Sequence, residues 1–510
     1  MNGREGVVEQ LAGRRFDLLV VGGGIVGAGI AAEAAHIGLA VALVERSDFG
    51  GATSSGSSKL IHGGLRYLRL GDLRLVREAH QERRALLRVV APHLVRRLPF
   101  LLPLYRDGPF RPLTIRAGLG LYSLLAGDRI GGIVEPARAL RSVPDLRLDG
   151  LRSCGVYEDA WTNDARLCLA NVRAAADAGA AVLNYAEVTA LRIVGGAIAG
   201  AEVRDRETGA SVAVDARAVV NATGPWVDHV RRLESPDARP SVRLSKGVHV
   251  LVPQPPGWSA ALTIPQDDVR VSFAVPWAGS LLLGTTDEPF EAEPDLLEPT
   301  EADVRQVLHE AGRAVEAEVV APERVHFTFA GLRVLPRTEG QTAQARRETV
   351  IDRGPAGMLS VAGGKLTTYR RIALEVLEWL RPQLALHRID RQPWPLPGAT
   401  LRPAALPAGL SPNTRTNLLH LYGSLAADVV APAAEEPSLL EPFADGAPDV
   451  AAQVLYAATH EWARTPADVL RRRTLLTLSG RSDDRVEARV AELLEAAVGP
   501  PAKPLADHAE

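Results

Sequence analysis

The sequence is short of the residues that announce cross-links and metal clusters. Only two cysteines, Cys154 and Cys168, occur among 510 residues. That excludes a disulfide framework and a cysteine-bound zinc or iron–sulfur cluster, and it fits a reducing, cytoplasmic compartment. Both thiols are expected to be packing residues. The formal net charge of −3 is too near neutral for a nucleic-acid partner. No run approaches the ~20 apolar residues of a membrane-spanning helix, and Met1 to Arg15 lacks the apolar stretch of a secretory leader. No internal repeat is visible. The chain is too long for one small core, so two or three domains are expected.

Lysine is the sharpest scarcity. Of 58 basic residues only four are lysine: Lys59, Lys246, Lys365 and Lys503. Lys503 lies in the tail, whereas the other three stand beside glycine or serine. A compact ammonium does not interchange with a planar guanidinium. Lysine kept at those places points to chemistry, with close packing as the plainer alternative.

Glycine and small hydroxyl residues are what the chain has in quantity, concentrated around one strand–turn–helix unit. Phe16 to Val21 is a short apolar run with strand composition. Gly22-Gly-Gly-Ile-Val-Gly27 follows and fits G-x-G-x-x-G through Gly22, Gly24 and Gly27. Ala28 to Ile37 reads as a helix of small residues, Leu39 to Val44 as a second strand, with Glu45 at its end. An acid about 20 residues beyond the turn completes a dinucleotide site. The glycines allow close backbone approach, and the helix N-terminus favours pyrophosphate. Glu45 accepts from ribose hydroxyls, which disfavours a 2′-phosphorylated nucleotide. The run Thr53-Ser-Ser-Gly-Ser-Ser-Lys-Leu-Ile-His-Gly-Gly-Leu-Arg-Tyr67 comes next. Its small residues let backbone amides approach a phosphate or a ring, and Lys59, His62 and Arg66 add charge. A fold does not need such a run; an anionic cofactor and an anionic substrate do.

The rest reads more coarsely. Residues 72–90 form a charged amphipathic helix. Residues 92–126 mix short apolar runs with Arg96, Arg97, Arg106, Arg111 and Arg116, as an interfacial membrane patch would, or a partly buried loop and helix. A helix is expected over 164–178, strands over 182–220 and again over 241–290. Ala218 to Trp226 is a strand running into a glycine turn, a second approach to the cofactor. Leu359 to Tyr369 is strand, glycine turn and helix start, a further anion or ring-edge site. A proline-rich linker spans 389–412, a helical domain 413–497 and a loose tail 498–510.

These motifs converge. The chain resembles the FAD-dependent, quinone-linked, membrane-associated glycerol-3-phosphate dehydrogenases. The likeness rests on Val21 to Ile30, Ala52 to Leu68, Trp161-Thr-Asn-Asp-Ala-Arg-Leu167, Asn221-Ala-Thr-Gly-Pro-Trp226, Lys246-Gly-Val-His249, Gly284-Thr-Thr-Asp287, Gly331-Leu-Arg333 and Gly363-Gly-Lys-Leu-Thr-Thr-Tyr-Arg370. His460 to Thr465 and Asp468 to Thr474 extend it into the helical domain. There are departures: Asn163 stands where the family usually has an acid, Arg471 where it often has tryptophan, and Val334-Leu335 replaces a common Pro-Leu.

The resemblance implies an α/β fold in which a Rossmann-like FAD-binding domain interleaves with an antiparallel-sheet substrate domain, followed by the helical C-terminal domain. FAD-binding segments are expected at about 15–91, 150–240 and 330–385, and substrate segments at about 92–149 and 241–329, within an oxidoreductase region 1–388. It implies oxidation of sn-glycerol 3-phosphate to dihydroxyacetone phosphate, electrons passing to quinone at the inner face of the cell membrane, and a possible homodimer. The phosphate needs cations, expected at Arg66 and Arg333. His249 is the expected base or hydrogen-bond partner. Lys365 serves flavin or substrate, and Tyr67 substrate or flavin. Cofactor contacts are expected at Gly22, Gly24, Ile25, Val26, Gly27, Glu45, Arg46, Thr53, Ser54, Ser57, Ser58, Lys59, Leu60, His62, Gly63, Gly64, Thr223, Gly224, Trp226, Asp287, Gly364, Lys365, Leu366 and Thr367. An oxygen-using oxidase, an amine or 2-hydroxy-acid oxidase of the same fold, and a flavin-binding scaffold without turnover are the alternatives.

Overall fold

The computed structural model describes residues 3–65, 72–127, 131–267, 270–337, 349–400 and 405–499. Two sheets organise them. The first places Val41–Val44, Phe16–Val21, Ser211–Asn221 and Leu359–Gly363 side by side and parallel, with Ala181–Leu183 beyond one end and antiparallel Thr349–Arg353 beyond the other. Phe-Asp-Leu-Leu-Val-Val is nearly all apolar because both faces of this sheet are covered. On one face pack the helices Ile25–His36, Asp164–Asp177 and Tyr369–Leu384. On the other lie the helix Arg4–Gly13 and the hairpin Ala186–Val194 with Ala197–Asp205.

The second sheet is antiparallel apart from one pair, Ala261–Pro265 beside Arg96–Tyr105. Near one edge runs the long strand Val242–Pro253, flanked by Ser280–Gly284 and Phe327–Pro336. The helix Glu301–Ala311 covers one face, and the helices Leu73–Ala85 and Pro112–Ala126 pack on the other. Three strands fall outside the segment boundaries expected from sequence. Leu60–Ile61, Leu151–Trp161 and Phe327–Pro336 all pair in this second sheet, each lying wholly or mostly in a segment expected to bind FAD. The chain crosses between the sheets more often than composition reveals, since strands of either sheet read alike.

The helical domain begins with Pro412–Tyr422 and ends with Asp484–Val498 around its own core. The proline-rich segment before it is no loose tether over its described part. Ile389 and Leu396 enter the first core. Trp394 stacks on His36 at 4.2 Å and donates to Glu33 at 3.1 Å. Asn163, in the place of the family's acid, caps the helix Asp164–Asp177 by accepting from the Arg166 amide at 3.1 Å, a task either residue type performs. Both cysteines are buried free thiols. The tail from Pro500 lies outside the described residues.

Glu33 is 5% exposed. Burial pushes its carboxyl up from 4.5 to about 7, against the opposing Trp394 hydrogen bond and the Arg370 charge. A carboxyl with a raised folded pKa contributes stability that is whole below the unfolded value and lost as pH rises through the folded one. We expect wild type to lose stability relative to Glu33→Gln between pH 4.5 and about 7, read by denaturant unfolding of both proteins across that window. Parallel pH profiles would refute it.

Candidate active site

Three turns meet at the carboxyl ends of neighbouring parallel strands. Gly22–Gly24, Ala222–Gly224 and Gly363–Lys365 share one edge of the first sheet, where open α/β sheets receive nucleotides. Gly22 has φ +105°, and a Cβ there would lie 2.6 Å from the Ala222 carbonyl oxygen. A Cβ on Gly27 would lie 1.9 Å from the Gly22 carbonyl oxygen. The Gly23 amide donates to Glu45 Oε2 at 2.6 Å, the Ser47 amide to Oε1 at 2.9 Å, and the Ile25 amide to Ser54 Oγ at 2.8 Å. A side-chain-free turn, a helix N-terminus and an oriented acid therefore stand together, which fits the pyrophosphate and ribose of a dinucleotide.

The glycine-rich run is the seam between the two sheets. Gly56 lies so close to Gly331 that a Cβ on the latter would sit 2.2 Å from the Gly56 oxygen. Thr53 Oγ1 donates to the Leu332 carbonyl at 2.8 Å. Further on, the His62 amide donates to Thr367 Oγ1 at 3.1 Å, tying the run to the Gly-Gly-Lys turn, and the Gly63 amide donates to Asp159 at 3.2 Å.

The second sheet contributes the charged face. Ser245 pairs with Arg333 and His249 with Phe329, so by strand alternation Ser245, Gly247, His249 and Arg333 face one side. Arg333 donates to Asp287 at 3.1 Å, Thr285 Oγ1 at 3.0 Å and the Thr286 carbonyl at 3.0 Å, with its side chain 34% exposed. A Cβ on Gly247 would lie 2.8 Å from that guanidinium, so glycine leaves it room. His249 is 3% exposed, stacked on Phe329 at 4.9 Å, with Nε2 2.8 Å from Ser58 Oγ. Burial above all, then the Arg333 and Lys59 charges, hold its pKa well below 6.5. The imidazole is neutral near pH 7, as a proton acceptor must be.

Several of the expected contact residues have partners within the protein. Lys59 is 1% exposed, and its ammonium binds Asp164 at 2.6 Å and the Ser55 carbonyl at 3.1 Å; a charge without water must pair. Ser57 also binds Asp164, at 2.7 Å. Asp287 serves Arg333. Arg46 pairs with Asp295 at 2.5 Å and lies over the Trp226 ring, whose Nε1 donates to the same carboxylate at 3.3 Å. Ile25 and Leu60 are core residues. Lys246, one residue out of phase with His249, turns to the far face and binds Asp303 at 2.7 Å. Lys365 is half-buried at the start of the turn before Tyr369–Leu384. Arg66 and Tyr67 lie outside the described residues. Asp164 is the positioning residue that sequence reasoning passed over; its signal was an acid at a helix start, directly after a capping asparagine.

Comparison with known proteins gives the family and the fold. The family described as FAD dependent oxidoreductase matches residues 17–370, and the family described as C-terminal domain of alpha-glycerophosphate oxidase matches 369–501. A Mycobacterium tuberculosis protein named glycerol-3-phosphate dehydrogenase 2 is 38% identical over 498 residues, covering 92% of this chain and 82% of its own. A Synechocystis glycerol-3-phosphate dehydrogenase is 34% identical over 496 residues, covering 91% and 89%. The crystal structure of the glycerol-3-phosphate dehydrogenase from Bacillus halodurans complexed with FAD superposes with TM-score 0.73 at 26% identity, covering 99% of this chain and 98% of that one. The FAD-bound L-alpha-glycerophosphate oxidase from Mycoplasma pneumoniae shares the fold, with TM-score 0.59 at 16% identity, covering 75% and 99%.

Gly27→Ala tests the cofactor cradle. Its Cβ would meet backbone, which cannot rotate aside. We expect a protein purified without its yellow colour, read as the ratio of flavin to protein absorbance. A variant that keeps full flavin content would contradict the cradle.

Proposed function

The chain belongs to the FAD-dependent glycerol-3-phosphate dehydrogenase family, and from that premise we propose that it oxidises the C2 hydroxyl of sn-glycerol 3-phosphate, giving dihydroxyacetone phosphate. FAD, when bound, supplies the hydride acceptor. The observation that carries the reading is the placing of Arg333 and His249 on one face of the second sheet, against the glycine-rich seam. Arg333 meets the phosphate; Asp287 and the two threonine contacts hold its fork in place beforehand. The hydroxyl proton goes to His249 Nε2. Because that imidazole is buried behind Ser58, the more exposed of the two, the proton's path runs through Ser58 Oγ. In this reading Lys365, beside the Gly363–Gly364 turn, adds positive charge for flavin or substrate.

Membrane quinone is the acceptor in this reading. The helix Pro112–Ala126 supports it: Leu113, Leu121 and Leu124 are 79%, 40% and 73% exposed, while Leu119 and Tyr122 on the opposite side are buried. Arg111 and Arg116 are exposed beside the apolar stripe, as interfacial helices prefer. Among the described residues no helix is long and apolar enough to cross a membrane. One observation favours a second reading, an oxygen-using oxidase: the match of 369–501 to a domain described for alpha-glycerophosphate oxidase.

Anaerobic mixing with sn-glycerol 3-phosphate tests the substrate: the oxidised-flavin band bleaches, and a quinone analogue restores it faster than oxygen does. Faster recovery with oxygen would favour the oxidase, and no bleaching would sink the substrate. Arg333→Ala should lower kcat/KM on the order of 10²-fold, the loss of one charge-assisted phosphate contact, with flavin content unchanged. Leu113→Ser with Leu124→Ser should abolish co-sedimentation with anionic vesicles while leaving turnover with a soluble dye acceptor intact; retained sedimentation would move the docking face elsewhere.

A further inference from the structure

The helical C-terminal domain sends two adjacent arginines into the first domain, and both end on one carboxylate. Asp48 is fully buried, in the loop that follows Glu45. Arg472 Nε donates to it at 2.5 Å, and Arg473 donates through both terminal nitrogens, Nη2 at 2.8 Å. Asn184 donates to it at 3.3 Å and also to the Trp462 carbonyl at 2.8 Å. The arginines are themselves fixed within their own domain: Arg472 on Asp468 at 2.7 Å, Arg473 on the Glu461 carbonyl at 2.6 Å. The two cations hold the Asp48 carboxyl below its ordinary value in spite of the opposing effect of burial, which is the largest single influence on it.

The segment they grip is the one that shapes the cofactor turn. Phe49 packs its ring where a Gly23 side chain would stand, 2.4 Å from that Cβ position, and meets Trp462 of the helical domain edge-on at 5.5 Å. The Gly50 amide donates to the Gly23 carbonyl at 3.1 Å, and Glu45, at the segment's start, takes the Gly23 amide. A buried ionic cluster adds little net stability over apolar packing of the same volume; its distinct contribution is a fixed geometry. We propose that the C-terminal helical domain is a working part of the FAD site, its Arg472 and Arg473 positioning the Glu45–Gly51 segment, and with it the acid and the glycine turn that receive the adenosine half of FAD. The proposal depends on FAD binding and is independent of the substrate.

The test compares Arg473→Lys, which keeps the charge and loses the fork, with Arg464→Ala. Arg464 joins the same two domains through Glu207, at 2.5 Å and 3.1 Å, without touching the Glu45–Gly51 segment. Each holoenzyme is diluted and free flavin fluorescence gives the FAD dissociation constant, with far-ultraviolet circular dichroism and the unfolding midpoint taken alongside. Arg473→Lys should weaken FAD binding by about tenfold or more, the scale on which removing a contact that orients a binding group is felt. Arg464→Ala should leave it near wild type at a comparable unfolding midpoint. Equal FAD affinities in the two variants would overturn the proposal and reduce the arginines to domain glue. Should Arg473→Lys fail to fold, Arg472→Lys, which leaves Asp48 its Arg473 bonds, decides by the same comparison. Bleaching by glycerol phosphate in the FAD-loaded variants would show that a failure here leaves the substrate reading untouched.

Discussion

The arrangement depends on one buried ion pair, Lys59 with Asp164. The run between the two sheets is rich in glycines and serines, which have almost no apolar surface to bury, and glycine loses the most entropy on ordering. Something other than packing must hold it. Asp164 takes Ser57 through its amide and hydroxyl and Lys59 through its ammonium, gathering three donors on a carboxylate at the start of the helix Asp164–Asp177, where the helix dipole favours negative charge. Lys59 itself sits at φ 58°, a conformation costly for a side-chain-bearing residue. The pair holds that strained backbone in place, directly beside Ser58, which meets His249.

The same device recurs along the chain. A buried carboxylate collects donors from segments far apart in sequence: Asp48 from the helical domain, Asp159 from Arg83, Tyr122 and Gly63, Asp164 from the glycine-rich run. Each stands beside a stretch with too little apolar surface to fix itself. Two of these carboxylates differ in their titration. Burial outweighs Arg83 at Asp159 and raises its pKa to about 6, whereas at Asp48 two guanidinium groups prevail over burial. Both carboxylates are buried, and the second guanidinium is what tips Asp48 the other way.

The cofactor half was legible in the sequence because its requirements are local. A tight turn, a close approach and an acid at a fixed offset all leave marks within 30 residues, and the strands at 16–21 and 359–363 and the helix over 164–177 stand where periodicity puts them. The substrate half was legible through motif likeness more than through physics. What stayed hidden was non-local. The scarcity of lysine was informative, yet not as expected: Lys59 and Lys246 both serve buried carboxylates, on Asp164 and Asp303. A compact ammonium fits where a carboxylate must be met end-on in little space. Which partner each would find depends on strands that cross between sheets, and no window of sequence contains both ends. The protein partners of Arg46, Trp226 and Asp287 were hidden for the same reason, since they lie 249, 69 and 46 residues away.

The electrostatics around His249 carry one further step. Arg333 and Lys59 both oppose a proton on the imidazole, Arg333 the more strongly; Lys59 is paired with the buried Asp164, and Arg333 with the half-exposed Asp287. On the proposed reading a phosphate dianion arrives at Arg333, the stronger of the two. It cancels the larger part of the opposing field at the moment a proton must be accepted. The histidine is then a poor base in the empty site and a better one in the occupied site. An unphosphorylated polyol would forfeit the binding contact and also the charge that makes His249 basic, so discrimination falls on the chemical step as well as on affinity.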